Sequence, residues 1–221
     1  STFYFRNMTE TFQTKSPNHI VFLTKEELTE FIENDNDNYF ASFSNDDLQI
    51  RSARTIHEYK QAIKDSFCSV TPTVQDKITQ CIFKIEKQIQ KMTEKDTWDI
   101  DFEKLVRIPW KIGCTCNTKY ENGFPHTRED IIILPMKQID SMDEQQLCKL
   151  LIHEKVHIYQ RLYSTEIENM LKKRGFQKNG TRENNPANPD LNAYTYTHYK
   201  LGDFYSTYKN DPSTFKDIQY A

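Results

Sequence analysis

The residues best suited to chemistry are His153-Glu154-Lys155-Val156-His157, an H-E-x-x-H pattern. On a helix, positions i and i+4 share one face about a turn apart, so two imidazoles can grip one metal ion. Glu154 lies about 100° round the helix from His153, where its carboxylate can reach a water beside that ion. The chemistry implied is hydrolysis: the ion acidifies the water and the carboxylate takes its proton. The competing reading is a surface helix with two solvated histidines and an ion-paired Glu154.

The pattern needs a helix, and the flanking residues supply one. Ser141 followed by Glu144 forms a capping box. Leu147, Leu150, Leu151, Ile158 and Leu162 recur at three- and four-residue steps and make one buried stripe. No Pro or Gly interrupts Ser141 to Arg174, and Gly175 is a suitable C-cap. The spacing predicts a helix over about Met142 to Tyr163. Ile131 to Leu134, fully apolar and ended by Pro135, predicts a strand beside it.

Upstream, His19 to Thr24 reads as a strand, and Thr24 with Glu27 caps a short helix over Lys25 to Glu33. Tyr39 to Phe43 reads as a second strand, giving residues 1–50 the look of an α/β appendage or an edge of the main domain. Ser52 caps a predicted helix over Ala53 to Phe67, and Thr71-Pro72 starts another through about Lys91. The stripe Val74, Ile78, Cys81, Ile82, Ile85, Ile89 marks that second helix as scaffold. Leu105 to Ile112 carries Pro109 and reads as an edge strand or two short pieces. Asn117 to Asp130 reads as a polar loop.

At 221 residues the chain can bury a substantial core. Its 28 % charged residues and net charge of −3 give a polar surface without the basic excess that nucleic acid or an anionic membrane attracts. No apolar run approaches the roughly 20 residues that span a bilayer, and the first residues lack a signal-peptide pattern. A cytoplasmic or virion-associated protein is expected. Five cysteines is an odd count, and Cys68, Cys81 and Cys148 fall in helical patterns as small buried hydrophobes, which suggests a reducing compartment. Cys114-x-Cys116 is a weak candidate ligand pair.

On HEKVH, the preceding Ile131-Ile-Ile-Leu-Pro and the following Gln160-Arg161, the chain resembles the zincin metallopeptidases over roughly Leu105 to Tyr199. The resemblance implies an α+β fold: a small mixed sheet packed on the HExxH helix, with an edge strand that aligns an extended peptide. The N-terminal α/β segment and the helical pair would be additions to a domain over 51–221. It implies that His153 and His157 bind Zn²⁺ and that Glu154 is the general base and later proton donor. The substrate is then a peptide or protein. An alternative keeps the zincin fold as a structural or interaction protein, such as a virion component, with little or no peptidase activity. A protease acting on DNA-bound proteins is disfavoured by the acidic charge balance.

The third ligand stays open. A metzincin continuation is excluded, because Gln160 and Tyr163 stand where its Gly and third His belong. Glu168 lies on the face of His157 but about 16 Å further along the axis, so Glu166 or Glu168 requires a helix break near Ser164-Thr165. Thr165 with Glu168 could cap the new helix. The Asn- and Pro-rich stretch after Gly175 offers Glu183 and Asp190, and Asp190 in Asn188-Pro189-Asp190 is the preferred ligand. It resembles an aspzincin aspartate without that family's full motif. His198 is a further option. His126 and Tyr194, with Tyr196 close by, are the candidate stabilisers of a transition state.

Overall fold

Ile131–Pro135 is apolar on both faces and Trp110–Thr115 is buried at every position but Lys111, and strands of that kind sit in the middle of a sheet covered on both sides. The computed structural model, which describes residues 19–92, 100–181 and 194–198, places them there. In chain order the first elements are β1 (Ile20–Phe22), α1 (Lys25–Asn34), α2 (Asn45–Ile50), α3 (Ile56–Ser66) and β2 (Phe67–Cys68). There follow α4 (Pro72–Met92), α5 (Phe102–Arg107), β3 (Trp110–Thr115), β4 (His126–Arg128) and β5 (Ile131–Pro135). The last are α6 (Met136–Ser141), α7 (Glu144–Leu162), α8 (Ser164–Lys173), β6 (Phe176–Thr181) and β7 (Tyr194–His198). The fold mixes helix and sheet, as the α+β expectation has it.

The main sheet has five strands in the order β1-β3-β5-β4, with β2 also on β3. β1, β3 and β5 are parallel, while β4 runs antiparallel to β5. Residues 19–50 therefore share a sheet with the rest of the chain. Register sorts the side chains into two cores, because hydrogen-bonded neighbours point to the same face. Ile112 and Ile132 pair and join α4, α7 and α8 in one core. Ile131 and Ile133 face the other way, onto α1, α3 and the aromatics Tyr39, Phe40 and Tyr120.

Gly113 makes the second packing possible. A Cβ there would come within 2.6 Å of a Leu28 methyl, and Leu28 is wholly buried under α1. The missing side chain lets α1 lie directly on the sheet.

Several elements differ from the sequence expectation. Leu105 to Arg107 is the end of α5, capped by Asp101, and Pro109 separates it from β3 rather than interrupting an edge strand. Tyr39 to Phe43 is no strand. It holds the 3-10 turn Phe40–Ser42; Tyr39 meets Phe40 and Phe43 edge-on, Phe40 meets Tyr59 edge-on, and the Arg51 guanidinium lies 4.6 Å from the Phe43 centroid. Thr55, not Ser52, caps α3; Ser52 has φ 57° and belongs to the preceding turn. The loop 117–130 contains β4.

Cysteine usage is corrected as well. Cys68 and Cys116 form a disulfide, with Cα atoms 5.9 Å apart. Cys116 is thus no metal ligand, and Cys114 is fully buried, its thiol pushed up to about 12 by burial. A structural disulfide also removes the ground for expecting a reducing compartment. Among the described residues, no helix is long and apolar enough to cross a membrane.

The packing of α1 on β3 is testable at Gly113. Gly113→Val should cost about 1–3 kcal/mol by forcing Leu28 and its neighbours apart. Urea unfolding reads this, and an unchanged midpoint would show that α1 does not lie on the sheet there.

Candidate metal centre

The helix bearing the histidines is α7. Asp143, two residues past the expected Ser141, is its N-cap, and Asp143 with Gln146 forms the capping box. Ser141 instead ends α6, with its hydroxyl donating to Gln138 O. Lys77 of α4 fastens this corner by donating to the carbonyls of Ile139, Asp140 and Met142. Its three N–H donors match three carbonyls at a helix junction.

The rotation of α7 is set on its inner face. Lys155 is 1 % exposed, its ammonium 3.9 Å from the centroid of Trp110 and donating to Ile108 O. The Trp110 indole N–H donates to Glu86, which also pairs with His19. Two residues are 200° of helix, so a buried Lys155 turns His153 outward. His153 is exposed, and His157 and Glu154 are 6 % and 3 % exposed.

The two imidazoles converge. His153 Nε2 and His157 Nε2 are 3.1 Å apart, with ring planes at 87°. Nitrogens bound to one zinc at 2.0–2.1 Å in tetrahedral geometry would stand about 3.3 Å apart, so the pair fits as two ligands of one ion. Imidazole donors suit zinc among the first-row metals.

β4 lies against this helix, and Arg161 ties the two together. One turn beyond His157, it donates to Thr127 Oγ1 at 3.0 Å and to Glu129 O. Nothing but the Gln160-Arg161 pair after the second histidine hinted at this role in the sequence. β4 alternates, so Thr127, paired with Ile132, faces α7. His126 pairs with Ile133 and faces the opposite core. Its Nδ1–H donates to Phe124 O at 2.9 Å and its ring meets Tyr120 edge-on. The structure does not bring His126 to the histidine pair.

The third-ligand candidates separate similarly. The helix does break, at Tyr163, but α8 has no side-chain cap, so the Thr165–Glu168 box is absent. Glu166 is held by Lys104 Nζ and accepts from Tyr159 Oη at 3.3 Å. Glu168 pairs with Lys178 Nζ at 2.7 Å. Neither is drawn to the pair. Tyr194 and His198 open and close β7, opposite Thr181 and Phe176, and Tyr196 lies opposite Lys178. Asp190 and Glu183 lie outside the described residues. Among the described residues no group of three potential ligands assembles.

No family model, curated protein or solved structure matches the chain.

The Arg161 clasp predicts a local effect. Arg161→Ala removes both hydrogen bonds to β4 and its turn, worth about 1 kcal/mol each. Amide exchange in His126–Arg128 and in the facing residues of β5 should quicken by roughly tenfold. Unchanged exchange would mean that β4 is held without α7.

Proposed function

We propose that this chain is a zinc-dependent peptidase of the zincin type, with His153 and His157 as two ligands and Glu154 as the general base. The observation that carries the proposal is the convergence of the two Nε2 atoms, 3.1 Å apart on α7, with His153 exposed and His157 buried. A mixed sheet whose antiparallel strand β4 is tied to the same helix supports it.

Zinc, when bound, supplies Lewis-acid chemistry that acidifies water and polarises a carbonyl. Glu154, adjacent to His153, takes the water's proton and hands it to the departing amine. Glu154 is buried, which limits the positions its side chain can take. Among the described residues β4 is paired on one side only, and an extended peptide backbone can add as a strand on the other. That position lays the peptide along α7.

The third ligand we assign to the chain beyond Thr181, where Asp190, Glu183 and His198 lie. Lys104 and Lys178 already hold Glu166 and Glu168. His126, on the other face of β4, has no part in this proposal. Tyr194 stays a candidate donor to the developing oxyanion. Its position on β7 after Asp190 is the ground for that. The net charge of −3 favours a peptide substrate over nucleic acid.

Substitution separates ligand from base. His157→Ala should lose stoichiometric zinc, whereas Glu154→Gln should keep both zinc and fold. Hydrolysis of a mixed peptide library by Glu154→Gln should fall at least about a hundredfold, the low end for loss of a general base. Zinc retained by His157→Ala would overturn the ligand assignment. Equal cleavage by Glu154→Gln and the unaltered chain at equal zinc loading would overturn the base. Full zinc occupancy with no cleavage by either would favour a structural protein of the same fold.

A further inference from the structure

Two cysteines that the metal proposal does not use meet at the contact between α4 and α7. Cys81 on α4 is fully buried, and its thiol donates to Glu144 O in the first turn of α7 at 3.6 Å. Cys148 on α7 is partly exposed, and its thiol donates to Cys81 O at 3.9 Å. Each sulfur therefore lies against the other helix at the same height. The Lys84–Glu144 ion pair flanks them. Burial, with the Cys148 thiol beside it, pushes the Cys81 thiol up to about 12.

The Cys68–Cys116 disulfide shows that this fold accommodates a bridge between distant segments. Cys81 and Cys148 are 67 residues apart, so a bond between them would close a long loop. Cys148 begins the turn of α7 that leads to His153, five residues or about 7.5 Å along the helix.

We propose that Cys81 and Cys148 are the halves of a second, redox-governed disulfide that staples the HExxH helix to α4. The oxidant is a small-molecule disulfide such as oxidised glutathione. The Cys148 thiolate, on the accessible side, attacks one of its sulfurs, forming a mixed disulfide and releasing one glutathione thiolate. The Cys81 thiolate then attacks the Cys148 sulfur, closing the bond and releasing the second glutathione. Two electrons pass from the protein's thiols to the oxidant, and the two protons end on the two glutathione thiols. The burial of Cys81 makes the second step slow and shields the closed bond from reductant. The proposal rests on the packing of α4 against α7 and holds whatever the two histidines bind.

The test counts thiols in the 221-residue chain after equilibration with excess oxidised glutathione. The protein is unfolded in iodoacetamide without reductant, digested with trypsin and weighed. One alkylated cysteine, Cys114, is expected, together with a disulfide-linked pair of peptides, Ile78 to Lys84 and Gln138 to Lys149. The oxidised chain should also melt roughly 5–10 °C above oxidised Cys148→Ser, a gap that closes in excess reductant. Alkylated Cys81 and Cys148, glutathione retained on Cys148, or either sulfur linked to another cysteine would each overturn the proposal. The count reads neither zinc nor cleavage, so it can fail while the peptidase proposal stands, and the reverse.

Discussion

Lys155 is buried where α7 packs on β3. A cation in a protein interior must be met by compensating groups, and here the Trp110 ring and the Ile108 carbonyl meet it. A desolvated contact of this kind with Trp is worth about 2 kcal/mol. Any other rotation of α7 would take the ammonium away from both. Because Lys155 points into the core, the flanking residues of the pentad are divided without further instruction. His153 comes out to the surface with His157 buried beside it, and Leu151, Ile158 and Tyr159 go down into the core with α4 and α8. Glu86 completes the arrangement from α4, linking the Trp110 indole to His19 at the start of the sheet. One buried side chain thus couples the helix, the central strand and the longest scaffold helix.

The second organising feature is the sheet's use of both faces. α4 and α7 cover the face that carries the histidine helix, and α1 and α3 cover the other. On that far side the buried charges are paired through aromatic surroundings. The Arg128 guanidinium lies 4.0 Å from the Tyr39 centroid and bonds to Tyr120, Asp35 and Asp37. Arg51 lies between Phe43 and Tyr59 and reaches Glu121 with two nitrogens. These contacts join residues 35–59 to the loop around β4. Planar guanidinium groups suit such sites, since they stack on rings while forking to carboxylates. The consequence for the site is indirect: β4 is held from behind by the arginines and from the side by Arg161.

Features fixed by local chemistry were legible in the sequence. The Thr24–Glu27 box, the Thr71-Pro72 start and the unbroken apolar run of β5 all depend on neighbours in the chain. The i,i+4 convergence of His153 and His157 is of the same kind. Features that depend on distant partners were not. Asp143 and Gln146 are as good a capping box as Ser141 and Glu144, and the fold selects between them by where α6 ends. Tyr39 to Phe43 has strand-forming residues, but Arg51 shortly after it and Arg128 far along the chain draw its rings into a core. His126 stands beside Thr127 in sequence, and only the register with β5 shows that their side chains leave on opposite faces. The Cys68–Cys116 bond joins residues 48 apart, a pairing that no spacing rule gives.

The proposed zinc site of α7 rests on its two convergent imidazoles. Anomalous diffraction at the zinc absorption edge, on crystals of the full chain grown with zinc, tests it most directly. One peak is expected about 2 Å from Nε2 of both His153 and His157, with a carboxylate or imidazole from beyond Thr181 as the third protein contact. No peak between the two rings, or a peak bound by other residues while the rings keep their 3.1 Å separation, would contradict it.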